Sequence, residues 1–133
     1  SYNMEEWQEV FVGQIPQGNY QTQVINGEEK GLILDLKNKD HHIVLDFGFV
    51  RAIRMLDEGI VQDHIYSESQ TGKYKKDRFQ YIIYQVTDGE FSKQIQQAAG
   101  EYWEIMNLKH DIVVTQSYNI DIITEWKPEI TIL

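Results

Sequence analysis

The chain has 133 residues, 41% of them hydrophobic and 12% aromatic, which suits one packed core and is too aromatic for a disordered segment. With no cysteine, it has neither disulfides nor thiolate metal sites. Its net charge of −9 opposes phosphate backbones and anionic membranes at long range, so no direct nucleic-acid or membrane partner is expected.

The opening residues, Ser1 to Trp7, lack the basic and apolar regions of a signal peptide. No apolar run approaches the roughly 18 residues that span a bilayer, and a cytoplasmic address is expected. Val10 to Ile15 is a short apolar run stopped by Pro16 and Gly18, and reads as a strand. Tyr20 to Ile25 alternates with the period of a half-buried strand, and Asn26-Gly27 with Glu28-Glu29 makes the following turn. Gly31 to Leu36 alternates Leu32, Leu34 and Leu36, and the polar run Lys37 to Asp40 turns the chain into His41 to Phe47. Short turns between three strands predict an antiparallel meander.

After Gly48 the spacing of Phe49, Ala52, Ile53 and Leu56 predicts a short helix ending near Gly59, with Arg51 and Arg54 off its apolar face. A long connection runs from Ile60 to Gly72. Arg78 to Val86 is apolar on both faces and predicts the central strand. Phe91, Ile95, Ala98, Tyr102 and Met106 form the stripe of a long helix, capped by Thr87 or Asp88 and weakened in the middle by Gly100. Ile112 to Val114, Tyr118 to Ile123 and Ile130 to Ile132 supply closing strands. Residues 1–133 therefore predict a single α+β domain. An antiparallel sheet of six or more strands carries one long helix on one face, and one short helix completes the fold. One helix cannot cover so wide a sheet, so its second face must curl, be covered by aromatics, or meet a partner.

The chemical motifs are weak. Asp46-Phe47-Gly48 matches the kinase metal triplet, but the glycine-rich loop and the His-Arg-Asp loop are missing. His41 and His42 point to opposite faces of a strand and cannot share one ion in regular geometry, even with Asp40, Asp46, His64 or His110 nearby. No Gly-x-Ser-x-Gly is present, and His110 has a structural reason to stand after a helix C-terminus. The basic run Lys73 to Arg78 reads as a solvated loop and strand edge. No cofactor, metal site or catalytic set is expected. By contrast, Asp57 and Glu58 stand where a helix dipole prefers cations, and Asp63, Tyr66 and Glu68 follow in the next loop. Carboxylates with an interleaved tyrosine suit Arg and Lys on another protein, so Asp57, Glu58, Asp63, Tyr66 and Glu68 are the expected partner-binding residues. Glu5, Glu6, Glu9, Glu28 and Glu29 form a second acidic group.

An acidic, cysteine-free α+β chain carrying the stretch Val44 to Gly59, VLDFGFVRAIRMLDEG, resembles immunity proteins of bacterial polymorphic toxin systems. In particular it looks like the immunity partner of a wall-associated, contact-dependent toxin. That resemblance implies a stoichiometric, non-catalytic inhibitor that covers a basic toxin domain, often an RNA-cutting nuclease, by charge and shape. The alternative expectation is a small-molecule or peptide-binding module with a pocket lined by Tyr84, Tyr102 and Trp103. An enzyme built on His110 or on His41 and His42 is the third.

Overall fold

A computed structural model describes residues 4–60, 65, 66, 70, 76 and 78–133. Among these described residues nine strands form two antiparallel sheets. One has five strands: β1 (Glu6–Glu9), β5 (Ala52–Asp57), β6 (Ile83–Thr87), β7 (Lys109–Val114) and β8 (Tyr118–Thr124), in the order β1-β6-β7-β8-β5. The other has four: β2 (Gln21–Gly27), β3 (Gly31–Lys37), β4 (His42–Gly48) and β9 (Glu129–Ile132), in the order β2-β3-β4-β9. The expected meander is β2-β3-β4, extended by the closing strand β9.

The sheets share one core, which answers what covers the second face. Leu32, Leu34, Leu36, Ile43, Leu45 and Phe47 from the four-stranded sheet cluster with Ile83, Val113, Ile120 and Ile122 from the five-stranded one. Strand alternation produces this. Ile83, Val113 and Ile120 lie opposite one another across β6, β7 and β8 and so share a face. The other face of the five-stranded sheet, holding Val86, His110 and Ile123, meets the helices. There α1 (Glu90–Ala99) and α2 (Tyr102–Ile105) pack Phe91, Ile95, Trp103 and Met106 around Ile123 and Leu108.

Five expectations are corrected. The single long helix is broken at Gly100, whose φ of 57° and ψ of −131° favour glycine. Gly89, not Thr87 or Asp88, is the residue at the helix start, and no side chain caps it. The short helix after Gly48 is strand β5, followed by a 3-10 turn at Glu58–Ile60. Six residues of mixed periodicity fit either element, and pairing of Ala52, Arg54 and Leu56 with Ile123, Asp121 and Asn119 decides it. Arg54 therefore points inward, where helical spacing had placed it outside. Finally, Val10 to Ile15 is a turn region, with Phe11 at φ 57° and Gly13 at φ 81°, while the first strand is the shorter Glu6–Glu9. The strand expected from Arg78 begins only at Ile83 and lies second in its sheet; β7 is central.

Candidate functional site

Beneath α1 the five-stranded sheet carries a connected row of polar side chains. Arg54 and Asp121 face each other across β5 and β8, and His110 on β7 lies diagonally beside Asp121 on the same face. Asp121 is the hub. Its Oδ1 meets His110 Nε2 at 2.7 Å, and its Oδ2 accepts from Arg54 Nε at 2.8 Å and from the Tyr66 hydroxyl at 2.6 Å. On the far side of the imidazole, Nδ1 meets the Ser92 hydroxyl of α1. The carboxylate calls for a proton on Nε2, which leaves Nδ1 of a neutral ring to accept from Ser92.

Burial shapes these groups. The Tyr66 hydroxyl is pushed up from its ordinary value by desolvation and by Asp121, so it stays protonated and donates. Desolvation is the largest single influence on Arg54 and opposes its charge, but Asp121 and Tyr66 together outweigh it and hold the guanidinium above its usual range. The guanidinium carbon also lies 5.2 Å from the Tyr66 ring centre and 4.9 Å from that of Phe91, a cation between two aromatic faces.

Ser, His and Asp in this order have the composition of a hydrolytic triad, but the geometry differs. Serine meets Nδ1 and the carboxylate meets Nε2, the reverse of that template. Ser92, His110 and Asp121 are 1%, 2% and 0% exposed. Ser92 and His110 join helix to sheet, and Asp121 ties in the edge strand and the Tyr66 segment. The arrangement fastens five pieces of chain together: α1, β7, β8, β5 and the Tyr66 segment. Sequence reasoning missed it because the alternation of β8 alone does not say that Asp121 points inward. An aspartate amid Ile120, Ile122 and Ile123 was the available signal.

The expected partner-binding residues fare differently. Asp57 is exposed and its carboxylate accepts from the Gly59 amide at 2.7 Å. Glu58 is half-buried beside it, its own amide bonded to Ser117 O. Tyr66 is 1% exposed and committed to Asp121, so its ring offers no contact area at the surface. The hydrophobic contacts of Trp7 and the hub draw it into the core. Asp63 and Glu68 lie outside the described residues, as do His64 and most of the basic run before Arg78. Of the second acidic group, Glu5 is buried, its carboxylate near the start of α1 at Gly89. Glu6, Glu28 and Glu29 are exposed, and Glu9 is half-buried.

His42 Nε2 meets Asp35 Oδ1 at 2.8 Å, while His41 just precedes β4 and is half-buried. Among the described residues no group of three His, Asp or Glu is placed to hold a metal ion. Tyr84 is buried, Trp103 half-buried and Tyr102 exposed, so these three do not converge on one pocket.

What the surface does gather lies at one end of the two sheets. Ala52 pairs with Ile123 and Lys109 with Thr124, so β5 begins, β7 begins and β8 ends there. Gly31, at the β2–β3 turn, presses on Gly48 and Phe49, so that turn shares the end. A Cβ at Gly31 would lie 2.2 Å from the Gly48 carbonyl, a spacing only glycine permits. The connections at this end expose Phe49 (58%), Tyr102 (56%), Ile105 (68%) and Trp126 (57%). Glu28, Glu29, Glu101 and Glu104 are exposed among them. Arg51, itself exposed, is bound to Glu125 at 2.9 Å, and Lys30 and Lys127 are exposed in the same set of turns.

No helix among the described residues is long and apolar enough to cross a membrane. Compared with family models, with curated proteins and with solved structures, the chain matches none.

Proposed function

We propose that this protein is a non-catalytic inhibitor that binds a basic protein, and that the partner is a toxin domain it neutralises as an immunity protein. One observation carries the reading. Four large apolar side chains stand more than half exposed in the connections at one end of the domain, and four exposed carboxylates lie in connections at the same end. Isolated surface apolar groups are ordinary, but a group of this size on one end marks an interaction surface. Tyr and Trp supply contact area at low entropy cost, and carboxylates around them select Arg and Lys while the net charge of −9 steers the encounter. The sealed state of Ser92 and His110 supports the same reading, because a substrate would have to lift α1 to reach them.

The docking end proposed here is the one bearing Phe49, Tyr102, Ile105 and Trp126, at the opposite end of the strands from Asp57 and Glu58. Two variants separate them. Cells expressing the toxin domain encoded beside this gene should survive when the wild-type chain is co-expressed. Protection should be lost with Tyr102→Ala, Ile105→Glu and Trp126→Ala combined, and kept with Asp57→Ala and Glu58→Ala combined. Full protection by the triple variant would move the interface away from this end. Failure of the wild type to protect would count against the function itself.

A further inference from the structure

We infer that the edge of β2, unpaired among the described residues, is a self-association site, where two copies of the chain pair their β2 strands antiparallel about a two-fold axis. This does not depend on the proposed function. Each of the four sheet edges offers unpaired backbone groups, and three are defended by familiar means. β1 and β9 are only four residues long and carry glutamates, and the Trp7 amide of β1 already donates to Gln70 Oε1 at 3.0 Å. β5 carries Arg54 and Asp57. β2 is different. Its seven residues, Gln21–Gly27, include no charge and no proline, and pair with β3 in unbroken register without a bulge. Gln21, Gln23, Ile25, Asn26 and Gly27 are exposed, Ile25 at 54%.

On a chain of net charge −9, a neutral edge is where a second copy can approach. An antiparallel pair centred on Val24 sets Gln21 opposite Gly27, Thr22 opposite Asn26 and Gln23 opposite Ile25, so all seven residues are used. The two Ile25 side chains become diagonal neighbours on the solvent face, within reach of each other. The same register keeps the acidic turns apart. Glu28 and its copy are eight residues distant along the strand direction, roughly 27 Å at about 3.4 Å per residue. That is several screening lengths at physiological salt, where one is about 8 Å. The result is a continuous eight-stranded sheet across the dimer, an isologous contact of the commonest symmetry.

Sedimentation equilibrium tests this. The wild-type mass should rise from 15.7 kDa towards twice that value with concentration, and more readily in 0.5 M than in 0.05 M salt, where the screening length is about threefold shorter. Ile25→Lys, at an exposed position, should require at least a tenfold higher concentration to associate. Because the chain has no cysteine, Val24→Cys should form a disulfide-linked dimer under mild oxidation, while Met55→Cys on the β5 edge should not. Three results would each overturn the inference: a wild type that stays at 15.7 kDa up to about 1 mM, a dimer indifferent to Ile25→Lys, or equal cross-linking at both cysteines.

Discussion

Asp111 is an unusual carboxylate, and replacing it with asparagine should stabilise the protein in a way that depends steeply on pH. It lies on β7, opposite Gln85 and Ile122, on the face turned towards the second sheet. It is 6% exposed, and burial raises its pKa from 3.8 to about 7, with Lys109 pulling the other way. A carboxyl whose folded pKa lies above its unfolded value binds its proton more tightly in the native state. Its contribution is therefore fully present below pH 4 and is lost as pH climbs through about 7. Each unit between the two values is worth about 1.4 kcal/mol, so the native state carries a cost of roughly 1.6 kcal/mol at pH 5 and roughly 4 kcal/mol at pH 8. Asparagine has nearly the same shape and no such titration. The stability difference, Asp111→Asn minus wild type, should grow by about 2.5 kcal/mol between pH 5 and pH 8 in urea unfolding. Any constant cost of the amide cancels in that comparison, and so do the other carboxylates. A difference that stays within about 1 kcal/mol, or shrinks with pH, would refute the reasoning.

Three further outcomes are expected. Asp121→Asn takes the carboxylate from Arg54, Tyr66 and His110 together, and should cost about 3–5 kcal/mol in urea or thermal unfolding, because a buried guanidinium loses its counter-charge. Gly31→Ala should destabilise by more than about 1 kcal/mol, since φ is 72° and the new methyl strikes the Gly48 backbone, whereas Gly27→Ala, with open space around it, should cost less. Tyr102→Ala and Ile105→Glu should each leave the unfolding midpoint within about 0.5 kcal/mol of wild type, because both side chains stand in solvent. A larger loss at either would show that these groups support the fold and are not held for a partner.

The strands of the meander were legible because their alternation is clean and their turns carry strong chemistry: Leu32, Leu34 and Leu36 on one face, Gly27 to Gly31 closing the hairpin. The division into two sheets was not, since local periodicity reports which face of a strand is apolar and is silent about what lies over it. β1 was hidden for another reason. Four residues with one buried tryptophan give no periodic signal, and the louder apolar run beside them, Val10 to Ile15, is bent by Phe11 and Gly13 into turns. For β5 the decisive fact is a long-range one, the meeting of Arg54 with Asp121, 67 residues away. The candidate site shared that difficulty. Acidic character was readable from composition, but the fold draws Tyr66 inward and brings Phe49, Tyr102, Ile105 and Trp126 to one end by way of strand register, which no local stretch encodes.

The hub at Asp121 also orders events during synthesis. Arg54 and Tyr66 leave the ribosome 67 and 55 residues ahead of the carboxylate they share, and His110 precedes it by 11. Until β8 has emerged, a cation destined for the interior has no anion to receive it, so the wider sheet cannot close over its helices. The meander β2-β3-β4, whose strands are contiguous, has no such wait and can consolidate while translation continues, with β9 added last.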